Sequence, residues 1–205
     1  MEKVIDHFKK ADPVIYCLGK KFSLTELEKS NDYFADLCEI IIGQQLSEKA
    51  SATLVRRFRY LLPDKKILPA SVCKLTEASI RSAGISRSKA QFLLNLATEI
   101  LSGRLNLDLL TTKTDAEVIS FLTKLRGIGP WSAEMFLMFS LARADVFSYG
   151  DLGLNNAIRK VYRLKKPPIQ KKLDTIVRKW SPYRTYACLL LWKSLTLNDR
   201  ELNQL

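Results

Sequence analysis

Two stretches of this 205-residue chain carry residue types and spacings that could do chemistry. In Leu125-Arg126-Gly127-Ile128-Gly129-Pro130-Trp131-Ser132-Ala133, two glycines stand between apolar segments. Glycines so placed permit a tight turn and close backbone approach, so the amides opening the next helix can point at a phosphate. Further on, Gly150-Asp151-Leu152-Gly153 sets a carboxylate just ahead of an amphipathic stretch. A fixed carboxylate there could stabilise a developing positive charge or take a proton from water. It could equally be a helix N-cap, accepting the first free amides.

The segments that flank and carry these groups read as helices. Phe34, Leu37, Cys38, Ile41 and Ile42 recur at helical spacing, as do Leu93, Leu96, Ala97, Ile100 and Leu101. Leu154, Ala157, Ile158, Val161 and Tyr162 repeat the intervals opposite Asn155, Asn156, Arg159, Lys160 and Arg163, predicting a helix with a core side and a basic side. From Ala133 to Ala142 almost every residue is apolar, which predicts an interior helix, begun by Pro130. No alternating apolar and polar run is long enough for a sheet. Turn residues at Leu62-Pro63-Asp64, Gly84, Gly103, the Gly127 hairpin, Tyr149 to Gly153, Pro167-Pro168 and Ser181-Pro182 predict about nine or ten helices. The expected fold class is all-α, with two helical lobes folded together.

Thirty-three Lys and Arg against twenty-one Asp and Glu give a net charge of +12, which favours a polyanionic partner, nucleic acid before an acidic membrane. The surplus is uneven. Residues 151 to 205 hold twelve cations and four anions (+8), and residues 1 to 150 hold twenty-one and seventeen (+4). Cys17, Cys38, Cys73 and Cys188 are too scattered for a metal knuckle or a disulfide framework and read as reduced core residues. No stretch approaches the roughly 20 apolar residues of a membrane span, and Met1 to Lys10 lacks a signal-peptide core, so an intracellular site, cytoplasm or nucleoid, is expected.

The Gly127 to Ala133 hairpin, Asp151 and the closing segment Trp180-Ser181-Pro182-Tyr183-Arg184-Thr185-Tyr186-Ala187 to Leu191-Trp192, in that order, resemble the helix-hairpin-helix DNA glycosylase superfamily, most closely its 3-methyladenine DNA glycosylase II branch. The resemblance spans roughly residues 5 to 195; Ser148-Tyr149 departs from it, standing where a proline is usual. It implies two lobes, approximately 30 to 125, and 1 to 29 plus 126 to 205, with the active site in the cleft between them. It gives Asp151 the catalytic role, beside an oxocarbenium-like sugar, and leaves Asp145 structural. Trp131, Met135 and Trp192 match base-pocket positions, where aromatic faces would stack on a cationic alkylated purine. Bifunctional members carry a nucleophilic lysine where Trp131 stands, so a monofunctional enzyme without lyase activity is implied.

The resemblance also implies DNA contacts. Ile40 to Ser47 matches the helix-loop-helix that fills the gap left by an extruded nucleotide, with Gln45 as wedge and Gln44 and Leu46 beside it. Ile85 would tip a second loop, with Arg87 and Lys89 near phosphates. Gly127, Ile128 and Gly129 would anchor the backbone, and the carbonyls of Thr123, Leu125 and Ile128 would hold a sodium or potassium ion. The cysteine quartet that binds an iron-sulfur cluster in other branches is absent, so no cluster and no required cofactor are expected. The function implied is excision of alkylated purines from duplex DNA by base flipping, by a monomer, at the start of base-excision repair. Glycosylases for oxidised guanine, uracil or hypoxanthine, and a non-catalytic DNA-binding or damage-sensing protein in which Asp151 is only a cap, remain open.

Overall fold

Apolar residues spaced three and four apart become buried stripes on helices, and the computed structural model, described for residues 1–203, is helical throughout with no strand among them. It divides into two units, Lys29–Leu141 and Met1–Glu28 with Ala142–Leu205. The helices α1 (Glu2–Ala11) and α2 (Pro13–Lys21) open the terminal unit. The central unit holds α3 (Tyr33–Gly43), α4 (Glu48–Tyr60), α5 (Pro69–Val72), α6 (Glu77–Ser82), α7 (Arg87–Leu101), α8 (Asp115–Leu122) and α9 (Pro130–Met135), which runs on as a π turn over Phe136–Ser140. The chain returns to the terminal unit with α10 (Leu152–Val161), α11 (Gln170–Val177), α12 (Arg184–Ser194) and α13 (Asp199–Asn203).

These thirteen α-helices among the described residues exceed the nine or ten expected. The excess consists of pieces one to two turns long, such as α5, α6 and α13, too short for a full apolar period. Local chemistry makes α6 legible in retrospect. Thr76 accepts from Ser79 N at 3.1 Å while the Ser79 hydroxyl takes the Thr76 amide at 3.1 Å, a closed capping box.

In the central unit α3 is the hub, packed on α4, α7, α9 and the π turn. Its Leu37, Cys38, Ile41 and Ile42 are almost fully buried, with Leu93 and Ala97 of α7 and Phe136 and Leu137 of the π turn. Each such aliphatic or aromatic side chain contributes about 1.5–3 kcal/mol on leaving water. That packing also corrects the expected lobe boundary: residues 126 to 141 group with 29 to 125, because α9 lies on α3 and α8. The helix after the hairpin is not interior on every face, since Phe139 is 47% exposed, and the stripe of α7 ends before Leu101, which is 53% exposed.

In the terminal unit α1 packs on α2, and α12 packs on both α2 and α10. Its core holds a carboxylate. Asp12 is 1% exposed and caps α2, its Oδ1 accepting from the amides of Val14 at 3.1 Å and Ile15 at 3.4 Å. Its Oδ2 accepts from the Tyr162 hydroxyl at 2.6 Å and the fully buried Trp180 indole at 3.1 Å. Burial, then the adjacent Asp12 charge, drives the Tyr162 hydroxyl far above its usual pKa, so Tyr162 stays a donor. Asp-Pro at residues 12 and 13 is a legible helix start. Its partners 150 and 168 residues away are not.

Candidate active site and nucleic-acid interface

In the central unit, α8 opens on a Thr114–Glu117 capping box and closes into the hairpin, where Ile128 N donates to Leu125 O at 3.1 Å. Gly127 sits at φ +93°, and a Cβ there would fall 2.2 Å from the Phe92 ring. Only glycine meets both constraints. Gly129 has ordinary extended backbone, φ −97° and ψ 178°, but a Cβ on it would meet nothing within 4 Å, so the start of α9 faces open space. No side chain caps that start, and Pro130 occupies the first helical position. The arrangement therefore offers first-turn amides to an anion. Ile128 is 5% exposed and plugs the hairpin from within.

The α3–α4 loop is tied to this hairpin. Gln44 Nε2 donates to Gly127 O at 2.8 Å and to Ser132 Oγ at 2.9 Å. Lys89 Nζ donates to Ile42 O at 2.9 Å and Gln44 O at 2.7 Å, satisfying carbonyls at the end of α3. Burial lowers the Lys89 pKa. The Gln44 amide N–H groups and two of the three Lys89 ammonium N–H groups are thus bonded within the protein, holding the loop and the hairpin as one piece. Ile85, expected at a loop tip, is instead 3% exposed, turned into the core after Gly84 at φ +93°. Arg87 is exposed and ion-paired with Glu77 at 3.0 Å. Gln45, exposed at φ +60°, and Leu46, 40% exposed, stand at the loop's tip. A left-handed glutamine is locally strained, which the fixed Gln44 on one side and the Ser47 cap of α4 on the other sustain. Trp131 is half-buried and Met135 is 5% exposed in the same unit.

In the terminal unit Asp151 is both buried, at 8% exposure, and the N-cap of α10. Its Oδ1 accepts from Leu154 N at 2.7 Å and from the Trp192 indole N–H at 3.3 Å. Gly153 lets the two approach, since a Cβ there would lie 3.0 Å from Asp151 Oδ1 and 3.4 Å from the Trp192 ring. Capping and positioning are here one geometry: the contacts that start α10 also fix the carboxylate's rotamer. Trp192, matched to the pocket by resemblance, has the added part of orienting that carboxylate.

The loop bearing Asp151 is clamped to α12. Asp145 accepts from Arg184 Nε at 2.6 Å, Arg184 Nη2 at 3.0 Å, the Arg184 amide at 3.2 Å and the Ser181 hydroxyl at 2.8 Å. The Thr185 hydroxyl donates to Arg143 O at 2.6 Å and accepts from Val146 N at 3.1 Å. Asp145 is a structural clamp; Arg184 and Thr185 are positioning residues that the spacing of the motifs did not single out. Burial acts to raise the Asp145 pKa, but the Arg184 guanidinium and the Ser181 hydroxyl outweigh it and hold the carboxyl below its ordinary value of 3.8. A depressed folded-state pKa contributes stability that is present above the unfolded value and lost as pH falls through the folded one. The melting-temperature gap between wild type and Asp145→Asn should accordingly be widest near neutrality and close below about pH 4. A gap that stays constant across that range would show the carboxylate's charge to be irrelevant to the clamp.

Residues 38–182 match the model of the HhH-GPD superfamily of base-excision DNA repair proteins. DNA-3-methyladenine glycosylase 1 of Schizosaccharomyces pombe is 32% identical over 180 residues, covering 84% of this chain and 76% of its own length. The crystal structure of a Bacillus halodurans DNA-3-methyladenine glycosidase superposes with a TM-score of 0.77 at 31% identity, covering 97% of this chain and 96% of that one. The S. pombe 3-methyladenine DNA glycosylase in complex with abasic DNA superposes with a TM-score of 0.87 at 28% identity, covering 96% and 98%.

Proposed function

Because the chain belongs to the HhH-GPD superfamily of base-excision DNA repair proteins, we propose that it is a monofunctional DNA glycosylase acting on duplex DNA, hydrolysing the bond between deoxyribose and an alkylated purine of the 3-methyladenine type. The observation that carries this reading is the buried Asp151 carboxylate, its rotamer held by Leu154 N and the Trp192 indole. Loss of a cationic base builds positive charge on the sugar, and a preorganised carboxylate stabilises it or takes the proton of the attacking water. An alkylated purine already carries charge and leaves readily, so no strong general acid is needed. The target bond is unreachable in a stacked duplex, so the nucleotide is extruded, with Gln45 and Leu46 filling the gap. Trp192 and Trp131 are each proposed to offer an aromatic face to the base. With tryptophan at 131, no amine stands there to attack the sugar, and the strand is left intact.

The hairpin amides take a phosphate in this reading. The carbonyls of Thr123, Leu125 and Ile128 suit a monovalent cation: they are neutral oxygens, and Leu125 O spends one lone pair on Ile128 N, leaving one for a ligand. Such a cation would add positive charge beside that phosphate. Two glycine substitutions separate fold from binding. Gly127→Ala should cost about 2–4 kcal/mol in denaturant unfolding, from its left-handed backbone and the Phe92 collision. Gly129→Ala should stay within about 1 kcal/mol of wild type yet weaken duplex binding, since its methyl would stand where the phosphate approaches. Unimpaired binding by folded Gly129→Ala would remove the phosphate from that end of α9.

The test of the whole reading is incubation with methylated duplex DNA, chromatography of the released base, and examination of the strand before and after alkali. Release of 3-methyladenine with breaks only after alkali is expected. No release, with tight binding to the same duplex, would overturn it.

A further inference from the structure

Between Asp151 and Asp174 there is no acidic residue, and seven cations lie between Arg159 and Lys172. No ion pair among the described residues uses any of them. Lys160, Arg163, Lys165, Lys166, Lys171 and Lys172 are exposed, and Ile169 between them is 73% exposed.

Their placement is directional. Leu152, 78% exposed and adjacent to Asp151, begins a stripe on α10 that continues through Asn156 and Lys160 at four-residue intervals, all exposed. The stripe delivers into Arg163, held at φ +51° just past the helix, and then into Lys165-Lys166-Pro167-Pro168. Consecutive prolines keep that segment extended. At its far side α11 begins without a side-chain cap and without an acid in its first turn; instead Lys171 and Lys172 occupy that turn. Cations there oppose the helix dipole, an arrangement that costs the free protein stability and that a bound polyanion relieves.

We propose that residues 160–172 form a second DNA-binding site, a phosphate track that grips the duplex flanking the lesion on one side only. This rests on the glycosylase reading for the location of the lesion. In this proposal α10 lies along the duplex axis, and its ten residues span about 15 Å at the helical rise, which starts the track about four to five base pairs from the nucleotide at Asp151. Its ligand is the sugar-phosphate backbone of duplex DNA, read without regard to base.

The test is a variant with Lys165, Lys166, Lys171 and Lys172 each changed to Gln, which removes charge and keeps the side-chain stems. On an undamaged duplex of about 24 base pairs, the slope of log affinity against log salt should fall by about 3 to 4, near 0.9 for each phosphate no longer neutralised. Base release at saturating protein should be unchanged. On duplexes with one abasic site, cutting the flank to about three base pairs on one side should erase the difference between variant and wild type, and the same cut on the other side should leave it. At low salt the variant should melt no lower than wild type.

An unchanged slope, a deficit indifferent to both cuts, or a lower melting temperature would each overturn the proposal. Loss of binding to anionic lipid vesicles with the DNA slope intact would reassign the segment to a membrane surface and overturn it too. Should wild type release no base at all, the glycosylase reading fails, and the undamaged-duplex slope still decides whether these lysines contact DNA.

Discussion

Asp151→Asn is expected to lower single-turnover base release from alkylated duplex DNA by about 10²–10³-fold, while melting temperature and duplex affinity stay near those of wild type. The asymmetry comes from Oδ1. An asparagine side-chain oxygen can still accept from Leu154 N and from the Trp192 indole, so α10 keeps its cap and the loop its place. What is removed is the negative charge beside the sugar. Asp151→Ala should lose activity as well and about 1 kcal/mol of stability with the cap, so the pair divides the residue's two duties. Full activity in a folded Asp151→Asn protein would reduce Asp151 to a cap and leave the alternative of a non-catalytic DNA-binding protein standing.

The largest stability effect is expected far from that carboxylate, at Asp12. Asp12→Ala should destabilise the protein by about 3–7 kcal/mol in denaturant unfolding, summing about 1 kcal/mol for the α2 cap and about 1–3 for each of two buried donors left without an acceptor. Those donors are the Tyr162 hydroxyl and the Trp180 indole, both drawn to Oδ2 in an interior with almost no solvent access. Asp12→Asn should fall between, since one amide oxygen can serve either the cap or the aromatic pair but its NH2 opposes whichever remains. Tyr162→Phe should cost no more than about 1.5 kcal/mol, because it removes a donor and leaves the carboxylate bonded to Trp180. A loss below about 1 kcal/mol for Asp12→Ala would mean that water replaces the carboxylate and that the network carries little.

The two effects also separate experimentally, since one variant stays folded and inactive while the other loses activity in proportion to the fraction unfolded. Arg184 and Thr185 lie between these extremes. They fix the loop that delivers Asp151, and through α12 they share an element with Trp192.

The polar residues show where sequence reading works and where it stops. Asp151 is a cap legible from type and position, because a cap binds amides two or three residues ahead. Resemblance assigns Gln44 and Lys89 to DNA, and in the structure the Gln44 amide N–H groups and two Lys89 N–H groups also bond partners 45 to 88 residues away. Nothing local distinguishes a lysine that will meet a phosphate from one that will meet two carbonyls at the end of a neighbouring helix. Ile85 follows the same logic. Resemblance places it at an exposed tip, but an apolar side chain beside a left-handed residue turns inward wherever the core has room for it.

The all-helical fold, the apolar stripes of α3, α7 and α10, the hairpin and the residue types within it, the aspartate before α10, and the concentration of positive charge in the last quarter of the chain were all legible in the residues alone. Each depends on neighbours within one or two turns, where spacing alone decides which face a side chain occupies. It took the packed helices to show that residues 126–141 pack with the central unit, that Asp145 is clamped by Arg184, that Trp192 orients Asp151, and that a carboxylate at residue 12 anchors Tyr162 and Trp180. Those pairings join groups far apart in the chain. Their selection rests on excluding water from polar atoms, a condition that exists only once the helices have closed around them.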